Sequence, residues 1–176
     1  MPRRDVNFPR AQATSSQAGR PILPSGNRTH VAMQIRRVVS KKDLKVAFAI
    51  RLRVFVREQG VPEEIELDSD DRRAIHLLAL ARNKAVGTAR VVIRRQSAKI
   101  GRMAVLKKYR RMGVGTALLT RAVAAANRRA VRRIYLHAQV AVIGFYEKSG
   151  FRCVGPEFDE AGIPHRKMIL RARIHR

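Results

Sequence analysis

The 176-residue sequence predicts an α/β fold, a mixed sheet with helices on its faces, and three observations carry that prediction. Short runs rich in Val, Ile and Leu alternate with longer stretches whose apolar residues recur at helical spacing. A meander of three strand-like runs interrupts this alternation between residues 75 and 105. An apolar content of 45% suffices for one buried core, and no apolar run reaches the ~18 residues of a membrane span.

The elements follow in order. Residues 1 to 32 are rich in Pro, Arg, Gln, Ser and Ala without any period, so a disordered leader is expected there and a single domain over 33 to 176. MQIRRVV, from Met33, reads as the first strand. Ser40 is an N-cap for KKDLKVAFAIRLRVFVREQG, in which Leu44, Phe48, Leu52 and Phe55 share one side up to Gly60. The acidic loop VPEEIELDSDDRR follows. IHLLALAR, AVGTARVVIRR and AKIGRMAV are three strands, the first pair joined at Asn83-Lys84. A helix from Gly113 puts Leu118, Leu119, Ala122, Val123 and Ala126 on one side. RRIYLHAQ is a strand, and AVIGFYEKSG a short helix closed by Gly150. FRCVG and RKMILRAR are terminal strands around the turn FDEAGIPH. The order is β-α-β-β-β-α-β-α-β-β, without internal repeats.

The charge is strongly uneven: 38 basic against 13 acidic residues give +25. Such a balance fits a nucleic-acid partner, because each neutralised phosphate releases counterions. It equally fits a bias that places Arg all over the surface, since the basic residues are scattered and never exceed two in a row. The acids are not scattered. Glu58, Glu63, Glu64, Glu66, Asp68, Asp70 and Asp71 form one island, and Glu157, Asp159 and Glu160 a second. The lone Cys153 sits in an alternating apolar run and excludes an internal disulfide and a cysteine metal framework, so no metal is expected. Arg3 and Arg4 are not followed by the apolar segment of an export signal, and the cytoplasm is the expected compartment.

The stretch YRRMGVGTALLTRA, residues 109 to 122, carries the first functional signal. Gly113 and Gly115 let a ligand approach the backbone closely, where free N–H groups and the positive end of the helix dipole point at it. Lys107, Lys108, Arg110 and Arg111 add full charges, which together suit a pyrophosphate. A dinucleotide fingerprint would need a third glycine, and a P-loop would need Gly-Lys-Ser/Thr; neither is present.

Arg110-Arg111-Met112-Gly113-Val114-Gly115 resembles the Arg-x-x-Gly-x-Gly/Ala signature of the GNAT N-acetyltransferase superfamily, and GFYEKSGF, residues 144 to 151, resembles its Phe-Tyr-x-x-x-Gly-Phe segment. VFVREQGVPEEIELDSDD and FDEAGIPHRKM are similar to segments of the ElaA-like branch. The resemblance implies a mostly antiparallel sheet and acetyl-CoA as co-substrate. It also implies pyrophosphate binding by the amides of Met112, Gly113, Val114, Gly115 and Thr116, and pairing of Met103, Ala104 and Val105 with the pantetheine arm.

Acetyl transfer to an amine needs a free amine, a donor for the developing oxyanion and a proton for the departing thiolate. The resemblance places the Tyr146 hydroxyl near the CoA sulfur as general acid and gives the oxyanion to the N–H of Val105. Gln139 stands where many family members have Asn, in position to contact the cofactor. Some relatives carry a catalytic Glu on the strand before the loop, but residues 100 to 105 hold no carboxylate here. Glu58, His76, His137, His165 or a chain of waters are then the candidates for base, with His165 and Glu58 foremost.

In such a fold both acidic islands border the acceptor mouth, which predicts a cationic amine acceptor, such as a polyamine, an aminoglycoside or a lysine-bearing peptide. The opposing possibility is that the carboxylates pair with neighbouring arginines such as Arg72 and Arg73. Two other functions stay open at this point: a basic nucleic-acid-binding module, for which the 5% aromatic content offers few stacking platforms, and a catalytically silent acyl-CoA sensor. No membrane partner is expected, and either a monomer or a homodimer fits.

Overall fold

The computed structural model describes residues 33–171. The expected leader and the last residues of the expected final strand lie outside them.

Strand β1 (Met33–Arg37) leads to helix α1 (Lys41–Arg51), whose N-cap is Ser40, its hydroxyl accepting from the Asp43 N–H at 3.0 Å. The helical path then widens into a π-helical segment, Leu52–Glu58, in place of the expected uninterrupted helix. The acidic loop is itself structured by the short helix α2 (Glu63–Glu66) and a 3-10 turn, Ser69–Arg72, in which Asp68 and Asp71 form a capping box. Strands β2 (Ile75–Ala81), β3 (Lys84–Arg94) and β4 (Ser97–Val105) form the predicted meander. Its first hairpin turns at Arg82-Asn83, both at positive φ, one residue before the expected Asn83-Lys84.

Helix α3 (Val114–Asn127), strand β5 (Arg133–Gln139) and helix α4 (Ile143–Glu147) come next. Strands β6 (Arg152–Glu160) and β7 (Ile163–Arg171) are longer than expected, because they run through FDEAGIPH and turn only at Ala161-Gly162. Asp, Gly and Pro read locally as a loop, but the cross-strand pairs Asp159↔Pro164 and Glu160↔Ile163 extend the ladder to the turn.

The strands form one sheet in the order β1-β2-β3-β4-β5-β7-β6, antiparallel everywhere except between β4 and β5. β2 is buried on both faces, which explains its continuous apolar run. On one face Leu118, Leu119, Ala122 and Ala126 of α3 pack on Leu77, Val91, Ile100, Ile134 and Met168. On the other, Ala47, Ile50 and Val54 cover Leu78 and Ala104. Among the described residues no helix is long and apolar enough to cross a membrane.

Candidate active site

The parallel seam between β4 and β5 is short. It holds from Ser97↔Arg133 to Lys99↔Tyr135, and from there the two strands diverge. A bulge bends β4 within the divergent part: Arg90 opposes Gly101 and Thr88 opposes Ala104, so Arg102 and Met103 share one position, with Arg102 at φ 51°. The wedge opens into a cleft of about 560 Å³ lined by Met103, Val105, His137, Gln139, Tyr146 and His165 among others.

At the open end of the wedge stands the N-terminus of α3. Gly113 is its N-cap at φ 81°, a conformation that costs a non-glycine residue about 1–2 kcal/mol. No side chain caps this end and no acid occupies its first turn. The N–H of Ala117 makes the first intrahelical bond, to Gly113, which leaves the earlier N–H groups directed outward. Lys107, Lys108, Arg111 and Thr116 are exposed around them. This donor set fits the pyrophosphate of a CoA thioester. Val105 belongs to the same edge: Leu106 donates to Val86 of β3, so strand alternation turns the Val105 N–H and carbonyl towards the wedge. That geometry suits an amide-bearing arm lying along β4.

Arg110 departs from the role expected of it. Its guanidinium is bound to Glu58 at 2.5 and 2.8 Å and to the Val105 carbonyl at 2.9 Å, so it braces the loop instead of offering free charge to an anion. Glu58 departs likewise. The Arg110 bonds hold its carboxyl below the usual range, which works against a general base. Gln139 donates to the Gln59 side chain at 2.9 Å and so bridges the mouth of the cleft.

Tyr146 lines the cleft beside Met103. Its hydroxyl lies 4.0 Å from the Met103 sulfur, and burial pushes its pKa up to about 12, which keeps the phenol protonated. The four candidate bases separate. His76 lies outside the cleft, in the core beside Phe48, with Nε2 2.9 Å from the Asp71 carbonyl. His137 Nδ1 contacts Glu160 at 2.7 Å, and the carboxyl of Glu160, bonded to that imidazole, is held at about 2. His165 Nδ1 is 2.7 Å from the Ile163 carbonyl, and its ring stacks on Phe158. A carbonyl only accepts, so Nδ1 carries a proton, and in the neutral imidazole the lone pair is then on Nε2.

The sequence did not reveal the network behind this wall. The fully buried Arg51 bonds Glu66 and Asp71 at 2.7 Å each, and also the Glu66 carbonyl. Arg90 bonds Asp68 and Asp71, Arg102 bonds Asp68 and Arg94 bonds Asp70. Burial pushes the Glu66 carboxyl up despite Arg51. Burial acts the same way on Asp71, but Arg51 and Arg90 outweigh it and hold that group at about 2. Within the island Glu66, Asp68, Asp70 and Asp71 are paired with Arg51, Arg90, Arg94 and Arg102 and not with Arg72 or Arg73, and Glu58 with Arg110, while Glu63 and Glu64 hold no ion pair among the described residues. The only earlier hint was the density of acids on so basic a chain.

The sequence model of the Acetyltransferase (GNAT) domain family matches residues 30–172. A Bacillus subtilis protein named as a candidate acetyltransferase is 39% identical over 136 residues, covering 76% of this chain and 92% of that one. The crystal structure of Escherichia coli ElaA superposes with a TM-score of 0.71 at 26% identity, over 78% of this chain and 99% of that one. An acyl-CoA N-acyltransferase from Pseudomonas aeruginosa superposes with a TM-score of 0.70 at 29% identity, over 80% and 99%.

Proposed function

The chain belongs to the GNAT acetyltransferase family and is an N-acetyltransferase, and on that premise we propose that it moves the acetyl group of acetyl-CoA to a primary amine by direct attack. Family membership removes the silent sensor and the nucleic-acid module as the primary function. The observation that carries the reading is the wedge between β4 and β5 ending at the uncapped N-terminus of α3.

Bound acetyl-CoA supplies an activated acyl carbon. The amides from Met112 to Thr116, with Lys107, Lys108 and Arg111, hold the pyrophosphate, and Met103, Ala104 and Val105 line the arm. Nε2 of His165 takes the proton of the entering amine. The Val105 N–H receives the carbonyl oxygen as negative charge gathers on it. The Tyr146 hydroxyl gives its proton to the departing sulfur. All these groups come from one chain, so a monomer suffices. Extra positive charge on the acceptor retains one support, the exposed Glu63 and Glu64 beside the cleft-lining Ile65. The single cysteine needs no oxidising compartment, in keeping with the cytoplasm.

Calorimetric titration of acetyl-CoA into the wild type and into Gly113→Trp with Gly115→Trp tests the proposal. Micromolar binding that the double variant loses supports it, and thiol release across a panel of mono- and polyamines then finds the acceptor. A wild type that binds no acetyl-CoA overturns it.

A further inference from the structure

The fold brings Arg95 and Arg171 beside the run RRAVRR, residues 128 to 133. β4 and β5 begin, and β7 ends, at the edge of the sheet away from the cleft. There Arg132 and Arg133 both donate their N–H to the Gln96 carbonyl, at 2.8 and 3.3 Å, next to Arg95 in the β3–β4 turn. Arg133 stands directly opposite Arg171 across the β5–β7 ladder. Arg128 closes the C-terminus of α3, and Arg129 follows it. All six side chains are exposed.

Arg36, Arg51, Arg90, Arg94, Arg102 and Arg110 each hold a carboxylate, whereas among the described residues none of the six rim arginines does. Other exposed arginines, such as Arg53, Arg72, Arg73 and Arg121, likewise hold no carboxylate among the described residues, and the rim differs from them in bringing six together at one edge of the sheet. The nearby Asp70 is taken by Arg94 at 2.6 Å. Like charges directly opposite one another destabilise a sheet, so the Arg133–Arg171 pair lacks a counter-anion. The guanidinium fork matches phosphate oxygens in bidentate fashion.

From this we infer that the rim is a docking surface for double-helical DNA, gripped by its phosphates without regard to sequence. Among the described residues the exposed large apolar ones, Val39, Ile65, Leu67, Met112, Val140 and Val142, all lie elsewhere, so the described part of the rim lacks the apolar half that insertion into a bilayer requires. Nor do the described residues of the rim present an exposed aromatic ring on which the bases of a single strand could stack. Arg133 stands four residues along β5, about 13 Å at 3.3 Å per residue, from His137 at the cleft wall, so docking leaves the transfer site open. This surface goes beyond the transfer reaction and stands whether or not that reaction is confirmed.

Fluorescence anisotropy with a duplex of about two helical turns tests it across a salt series. The comparison sets the wild type against a rim variant with all six arginines changed to Gln. A charge-matched control changes the exposed Lys41, Lys42, Lys45, Arg53, Arg57 and Arg82 to Gln. The expected result is a wild-type slope of log K against log salt of about −4 to −5, a loss of about 100-fold or more in the rim variant, and a much smaller loss in the control. Equal losses in both variants would show that bulk charge is responsible and overturn the proposal. It is also overturned by a wild type that ignores duplex DNA, or that prefers single strands or vesicles of anionic lipid. Should the six-fold variant fail to fold, Arg128→Gln with Arg129→Gln must still weaken binding several-fold. Separately, Arg171→Gln should raise the melting temperature of the free protein by relieving Arg133.

Discussion

Arg110 grips both oxygens of Glu58, at 2.5 and 2.8 Å, while its Nε donates to the carbonyl of Val105. One side chain thereby ties the loop before α3 to the end of the π-helical segment and to the edge of β4. Glu58→Gln should lower the melting temperature only slightly, since a half-exposed pair is worth about 0.2–1 kcal/mol. It should leave the pH dependence of turnover unchanged, because Glu58 serves as a brace. A pH–rate profile of the variant that loses its acid-side limb would return Glu58 to the role of base.

Tyr146→Phe should reduce kcat by about 100-fold or more while acetyl-CoA binds as before, since only the proton for the leaving sulfur is lost. With the phenol held near 12, the wild type should show no alkaline loss of rate from this group until the pH approaches that value. Parallel stopped-flow and calorimetric measurements separate the two effects. A matching fall in acetyl-CoA affinity would mean that the hydroxyl binds substrate and does not act as the acid.

His165→Asn preserves a donor for the Ile163 carbonyl but removes the Nε2 lone pair. The expected outcome is a fall in kcat/KM of about 100-fold, partly restored by raising the pH, which frees the amine without help. An unchanged rate would assign the proton to a water chain.

The buried Arg51 should be the most sensitive position away from the cleft. Arg51→Met leaves Glu66 and Asp71 without their shared partner and should cost about 3–5 kcal/mol in urea unfolding. The same network sets an acid limit. The folded state holds Asp71 at about 2 against an ordinary 3.8, so it favours the ionised form. The resulting stabilisation is complete above about pH 4 and is lost as the pH falls towards 2. Melting temperatures should therefore fall steeply below pH 4, and Asp71→Asn should flatten that slope. An identical slope in the variant would remove Asp71 as its source.

Local chemistry made part of this molecule legible. Gly113, Gly115 and the basic residues before them lie within nine positions, and the N-cap Ser40 precedes its helix directly, so neighbouring residues alone revealed both. Pairing over distance remained hidden. Arg102 reaches the Glu66 carbonyl across 36 positions and Arg90 reaches Asp68 across 22, which is why Glu66, Asp68, Asp70 and Asp71, which read as part of an exposed field, turned out to be paired. The wedge was equally invisible, because nothing in β4 or β5 taken alone records where their ladder stops. Arg110 matched its motif, yet its partner Glu58 lies 52 positions upstream and redirects it.

The short seam between β4 and β5 also has a bearing on how the chain assembles. β2, β3 and β4 are joined by antiparallel neighbours close in sequence, and β6 with β7 by a tight hairpin, while within the sheet only three rungs, formed across more than thirty residues, weld these halves together beneath α3, which packs on both. Closing that long loop carries a large entropic cost, so each half gains its structure before the weld forms. Truncations along the seam, such as Ile134→Val, should then accelerate unfolding and leave the refolding rate nearly untouched, giving φ-values near zero there and higher ones in the β2–β3–β4 meander.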